Sequence, residues 1–345
     1  MKLSDFNYEL PKELIAQYPA SPRDSSRLLV LERKSGKIIH TGFRNIASYI
    51  NSSDLLVLNN TKVIKARLTG KRRTGGRAEL LLLGELGGGR FSALIKPSGR
   101  TKEGDEIIFP ASDLKARVIR KQKGGSIVEF SRPSRGLYKE LGRLGALPLP
   151  PYIKREAEAL DDTRYQTVYA RVAGAAAAPT AGLHFTEEAL RGIESKGADT
   201  AHVTLHVSYG TFAPVRTERI EDHKMHYESF RLSKEAAEKI NGRRMRGGRI
   251  FAVGTTSCRV MESCAAENVR GYAVKAGEGR TNLFIYPSYR FKMTDALLTN
   301  FHFPLSTLLM LVSAFAGKEL IFKAYREAIE RRYRFFSYGD CMLIL

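Results

Sequence analysis

Three stretches of the chain combine histidine, asparagine or threonine with positions that carry little or no side chain. In "GAAAAPTAGLHFT", residues 174–186, five small residues precede Pro179, Thr180, Gly182 and the trio His184, Phe185, Thr186. Small residues let a backbone come close to something, either another backbone or a ligand. Pro179 fixes φ, and Gly182 is expected to use a positive φ. The segment leads into a helix whose first free N–H groups fall near Thr186, a place that favours an anion. The competing reading is a helix packed tightly on a strand. In "AVGTTSCR", residues 252–259, a strand runs through Gly254, Thr255 and Thr256 into a helix carrying Arg259. That is a backbone cradle with hydroxyl donors, suited to a carboxylate or a phosphate. No lysine stands where a P-loop needs one, and no G-x-G-x-x-G follows a strand. The third stretch, "LLTNFHFPLST", places Asn300 and His302 beside phenylalanines and a proline.

Histidines are the candidate bases, because a free imidazole titrates near pH ~6.5. There are seven. His202 and His206 lie in "HVTLHV", and on a strand their even spacing puts both on one face. A zinc site would need third and fourth ligands that the spacing does not supply, so one core and one surface histidine is the competing reading. His184, His206 and His302 sit in loop-like surroundings rich in Thr, Asn and Phe, which suggests a shared pocket. No Ser-His-Asp order and no paired catalytic carboxylates can be assigned.

The elements around these stretches read as α/β. "RLLVLERKSGKIIH" is a hairpin turning at Ser35-Gly36, and "DLLVLNNT" is a buried strand. From Lys62 to Pro150 the texture changes to short β runs with Gly-rich turns, spaced as in a small barrel or sandwich. This segment holds 20 Lys and Arg against 8 Asp and Glu, a net +12 of the chain's +20. It lacks interleaved aromatics, so phosphate contact fits it better than base reading, with Lys71, Arg72 and Arg73 as the first candidates. "LPLPPY", residues 147–152, reads as a linker. Helices and strands then alternate to the end. "TEEALRGIESKG" is a helix capped by Thr186; "TAHVTLHV", "RIFAVG" and "TNLFIYP" are strands. "TTSCRVMESCAAE" is a helix, "STLLMLVSAFAGKELIFKAYREAIERRYRFF" two helices broken at Gly317, and "YGDCMLIL" a terminal strand. Such alternation predicts a mostly parallel sheet covered by helices. The expected organisation is a main α/β domain in two parts, 1–61 and 151–345, interrupted by an inserted, mostly antiparallel basic β-barrel, 62–150.

Composition narrows the function. The 345 residues suffice for two or three domains, and a net charge of +20 points to a polyanionic partner, most often nucleic acid. Three cysteines without a CxxC pair fit a reducing compartment. The polar opening "MKLSDFNYELPKELIA" lacks a secretory signal, and the longest apolar run, residues 307–317, is too short to span a bilayer. The expectation is a cytosolic protein.

Eight blocks in one order carry a resemblance: "PRDSSRLLVL", "LLVLNNTKVIKARL", "RYQTVYA", "AAPTAGLHFT", "VTLHVSYGTFAPV", "AVGTTSCR", "LLTNFHFPLSTLLMLVSAFAG" and "YRFFSYGDCMLI". End to end, the chain resembles the S-adenosylmethionine:tRNA ribosyltransferase-isomerases of queuosine biosynthesis, departing from them at Ser208-Tyr209 and in "MHYESF". The resemblance implies an α/β body with an inserted β-barrel. It implies transfer and isomerisation of the ribosyl part of S-adenosylmethionine onto the aminomethyl group of a 7-deazaguanine at the tRNA wobble position, giving epoxyqueuosine. Adenine and methionine would leave. S-adenosylmethionine would be a consumed substrate, with no cofactor or metal, and the enzyme a monomer with tRNA as partner. A histidine, His184 or His206, would take the proton beside the sulfonium, with His302, Asn300 and Asp340 lining the pocket. Thr180, Gly182, Phe185, Thr186, Gly210, Thr211 and Arg259 join the substrate candidates, and the cradle Gly254, Thr255, Thr256 would hold the methionine carboxylate. Two other classes stay open: a base-exchanging tRNA transglycosylase and a non-catalytic RNA-binding protein. Release of free adenine separates the three.

Overall fold

The computed structural model describes every residue except Lys123, residues 208–214 and Arg270. Gly210 and Thr211 therefore lie outside the described residues. The main sheet has nine strands in the order Gly277–Thr281, Glu228–Leu232, Asp199–Leu205, Leu55–Asn59, Ile250–Val253, Ala296–Asn300, Cys341–Ile344, Arg27–Leu31, Ile38–Gly42. Leu55–Asn59 is buried throughout, as its unbroken apolar run requires. Leu55 and Val57 join one core layer with the helices Lys234–Met245, Thr255–Cys264, Thr307–Ala316 and Lys318–Glu330. Leu56 and Leu58 join the opposite layer, with Phe43, Phe185 and Ile193.

The sheet is mixed, not mostly parallel. Four strand pairs run parallel and four antiparallel. Helical crossovers make the central strands parallel, whereas hairpins and the returning terminal strand reverse direction toward the edges. Two local readings also change. The helix after Gly254 stops at Cys264, and Ala265–Asn268 pairs as a strand with Gly271–Val274. "TNLFIYP" contributes only Thr281, the last residue of an edge strand. The break at Gly317 stands where expected, with φ +90° between two helices.

Arg67–Arg72, Arg77–Gly87, Arg90–Lys96, Glu106–Ile108, Lys115–Gln122 and Gly125–Phe130 close a six-stranded antiparallel barrel. Alternate residues such as Leu68, Leu80, Phe91, Ala116 and Val128 fill its interior. A helix, Ser134–Leu144, follows the last barrel strand and sends Leu137 and Leu141 into the same core, an element the β texture did not announce. The proline stretch after it is not an exposed tether: residues 147–150 are buried.

Candidate functional site

The central strands Asp199–Leu205, Leu55–Asn59, Ile250–Val253 and Ala296–Asn300 are parallel to one another. Their carboxyl ends share one edge, where backbone diverging into loops leaves a crevice. A cavity of about 80 Å³ opens there, walled by residues 178–181, 254–256 and 299–303. All three stretches singled out in the sequence therefore contribute to one wall. No Asp, Glu, Lys or Arg is among the described residues that line it.

Gly254 makes the turn from strand to helix at φ +89°, a backbone state that side chains resist. No side chain caps the helix Thr255–Cys264 that starts there, so its first N–H groups open toward the cavity that Gly254, Thr255 and Thr256 line. The Thr256 hydroxyl accepts from Asn59 Nδ2 at 3.1 Å. Tyr152, Phe303 and Phe336 form an aromatic side of the cavity; Phe303 and Phe336 stack with centroids 3.6 Å apart, and Tyr152 stands 5.0 and 4.9 Å from them. Phe336 holds φ +71°, an outlier for a bulky residue. Sequence reasoning missed this aromatic side: Tyr152 was hidden in the supposed linker, and Phe336 is brought near Phe303 only by the fold.

The three candidate histidines part company. His302 lines the cavity, with Nε2 2.7 Å from Thr299 Oγ1 and its backbone N–H donating to Tyr325 Oη at 2.9 Å. Burial pushes its pKa down to about 3, so it is neutral at pH 7. His184 is buried behind the cavity, outside its lining, between Ser26 Oγ at 2.8 Å and Asn300 Nδ2 at 3.2 Å, with Phe43 against its ring. Burial pushes its pKa down to about 4, against an opposing pull from Asp340. His206 follows the end of its strand, so it does not share a strand face with His202. Its Nδ1 lies 2.7 Å from Thr61 Oγ1, and burial lowers its pKa while barrel residue Glu85 raises it. His202 packs near Tyr169, at 6.0 Å between centroids.

Of the other candidates, Thr180 and Asn300 line the cavity. Gly182, Phe185, Thr186, Arg259 and Asp340 do not. Gly182 has no positive φ; a Cβ there would stand 2.0 Å from Tyr169 Oη, so its smallness serves protein packing. Phe185 packs edge-on against Phe43 at 4.9 Å in the core. Thr186 caps its helix, accepting from Ala189 N–H at 3.1 Å. Arg259 is buried in an ion pair with Glu228 and donates to Leu283 O at 3.1 Å. Asp340 accepts from the backbone N–H groups of Arg27 at 3.0 Å and Arg334 at 2.8 Å, and faces both guanidinium groups. Besides the nearby Arg334, these two charges are committed to Glu228 and Arg27, partners that no local pattern announces.

Lys71, Arg72 and Arg73 lie where the first barrel strand ends, about 13–20 Å from the point where it leaves the body at Arg67. Lys71 and Arg73 are exposed. The Arg72 guanidinium donates to Arg100 O at 2.8 Å, and Lys121 donates to Ser98 O and Thr101 O at 2.6 and 2.8 Å. These bonds gather three chain reversals into a basic rim that adds exposed Arg100, Lys102, Arg120 and Lys121.

A profile of the queuosine biosynthesis protein family matches residues 3–344. The chain belongs to that family. Relatives named S-adenosylmethionine:tRNA ribosyltransferase-isomerase are 51% identical in Acetivibrio thermocellus and 52% in Thermoanaerobacter sp., each over the whole of both chains. A crystal structure of S-adenosylmethionine tRNA ribosyltransferase from Thermotoga maritima is 41% identical, covers 99% of this chain and 100% of its own, and superposes with a TM-score of 0.57. The α/β body with its closed barrel is thus the architecture of a queuosine biosynthesis protein.

Proposed function

We propose that the chain is an S-adenosylmethionine:tRNA ribosyltransferase-isomerase. It moves the ribosyl part of S-adenosylmethionine onto the aminomethyl group of a 7-deazaguanine at the tRNA wobble position and isomerises it to the epoxy-cyclopentanediol of epoxyqueuosine, releasing adenine and methionine. Family membership at this identity supports the reaction. The observation that carries its location is the cavity at the strand ends, because its lining suits the methionine end of the donor. Uncapped N–H groups and threonine hydroxyls at 254–256 fit the methionine carboxylate without a cationic side chain. Tyr152, Phe303 and Phe336 offer ring faces to a sulfonium, as aromatic surfaces do for organic cations. At about 80 Å³ the enclosed space is well below the ~300 Å³ and more of a pocket for a whole drug-sized ligand. It takes the amino-acid end, and the nucleoside lies toward the mouth.

His302 is the histidine placed to accept the proton that leaves the carbon beside the sulfonium, since it alone of the three lines the cavity. The amine nucleophile belongs to the RNA, so no protein nucleophile is needed. Cys258 and Cys341 fit this: both are buried, burial raises their pKa values, and neither lines the cavity. The basic barrel rim takes tRNA phosphates. S-adenosylmethionine is consumed as substrate, with no cofactor, by a monomer working in the cytoplasm; among the described residues no helix is long and apolar enough to cross a membrane.

The test is incubation with S-adenosylmethionine and tRNA carrying the aminomethyl-deazaguanine, with chromatography for free adenine and methionine. Both should appear in step with modified tRNA. Base exchange without loss of S-adenosylmethionine, or RNA binding without turnover, would sink the reading.

A further inference from the structure

Asn300 is 2% exposed and lines the cavity, yet its Oδ1 has no hydrogen-bond partner among the described residues. A buried carbonyl oxygen left unpaired costs free energy unless something arrives to meet it. The amide cannot simply turn over. Nδ2 donates to Phe336 O at 3.1 Å, sits 3.5 Å from Asp340 O and 3.2 Å from His184 Nε2. Turning the amide would set Oδ1 against two carbonyl oxygens. With Nδ2 as donor, His184 Nε2 must accept, which puts the imidazole proton on Nδ1 beside Ser26 Oγ. The low pKa of His184 keeps the ring in that neutral form. The carbonyl of Phe336 is in turn set by that residue's strained φ of +71° and its stacking on Phe303.

The uncapped start of the Thr255–Cys264 helix lines the same cavity from the neighbouring strand, where Gly254 N–H donates to Leu298 O at 2.8 Å. The lining residues thus combine a helix start with free N–H donors and a buried amide whose carbonyl oxygen has no partner, and no charged side chain among the described lining residues competes with either. The amino-acid end of S-adenosylmethionine has the matching pair, a carboxylate and an ammonium. We infer that Asn300 Oδ1 receives the donor's α-ammonium while the helix start holds its carboxylate, and that His184 is a positioning residue that fixes the Asn300 amide. This rests on the proposed function.

The test is calorimetric titration of the full chain with four probes: S-adenosylmethionine, its deaminated analogue, its decarboxylated analogue and 5′-methylthioadenosine. Hydrogen bonds to charged groups of this kind predict that deamination and decarboxylation each weaken binding roughly tenfold to a hundredfold, and that 5′-methylthioadenosine binds more weakly than either. Asn300→Leu should weaken S-adenosylmethionine but leave the deaminated analogue unchanged, erasing the discrimination. His184→Ala should reduce that discrimination, and His184→Gln, whose amide oxygen can accept from Asn300 Nδ2, should restore most of it. Equal affinity of the wild type for S-adenosylmethionine and its deaminated analogue overturns the inference, and this arm needs no variant to fold. Undiminished discrimination in Asn300→Leu overturns it as well. Failure of the wild type to bind S-adenosylmethionine at all would instead remove the proposed function.

Discussion

Burying His184 and His302 as neutral imidazoles ties the stability of the fold to pH. An unfolded histidine titrates near ~6.5, whereas in the fold the two are pushed down to about 4 and about 3. Both folded values are depressed, so the unfolded chain binds more protons below pH ~6.5, and stability must fall as the solution is acidified. The loss begins near pH ~6.5 and continues until the folded values are reached. At pH 5 each unfolded imidazole is almost fully charged and each folded one almost wholly neutral. Linkage then gives about 2 kcal/mol per histidine, or roughly 4 kcal/mol for the pair, a large share of the ~5–15 kcal/mol that holds a protein folded. With no tryptophan in the chain, urea unfolding is best followed by far-ultraviolet circular dichroism. Burial lowers the pKa values of His202, His206 and His223 too, so wild type and His184→Gln are compared at pH 7.5 and pH 5. The variant should lose about 2 kcal/mol less than the wild type between the two. If both lose the same amount, His184 is charged or solvated in the fold, and its assignment as a neutral acceptor for Asn300 falls with it.

Gly182→Ala should destabilise by about 1–3 kcal/mol, because the new methyl meets Tyr169 Oη; any fall in donor binding should track the loss of folded protein in a thermal melt. Glu262 accepts from the backbone N–H groups of Lys292, Met293 and Thr294, at 2.8, 3.1 and 3.1 Å. Glu262→Gln turns an amide N–H toward some of those donors and should cost about 1–3 kcal/mol in urea unfolding. Lys71→Ala with Arg73→Ala should weaken tRNA binding and flatten its salt dependence by about 0.7–0.9 log units per lost phosphate contact for each tenfold change in salt. Donor affinity should stay unchanged, and a salt slope equal to that of the wild type would take these two residues out of the interface.

Much of the architecture was legible because its causes are local. The hairpin from Arg27 to Gly42, the buried Leu55–Asn59, the Thr186 cap and the helix break at Gly317 each follow from a few neighbouring residues whose φ preference, side-chain period or capping oxygen decides the backbone. The barrel was legible from its Gly-punctuated β runs. The three stretches that wall the cavity also announced themselves, since a strand end that passes through glycine or proline and polar residues toward a helix can be read in sequence. What each side chain does there could not. Asn300 and His184 are 116 positions apart, Arg259 and Glu228 are 31 apart, and Arg27 and Asp340 are 313 apart. Whether a histidine faces a cavity or backs the residue that does depends on strand order and register, which place distant segments side by side. The same holds for Ala265–Asn268, whose composition suits a helix tail but whose partner, Gly271–Val274, makes it a strand. Local chemistry fixed where backbone could turn and expose N–H groups; only the assembled sheet decided which polar atoms were left without a partner, because burial and pairing belong to the whole fold.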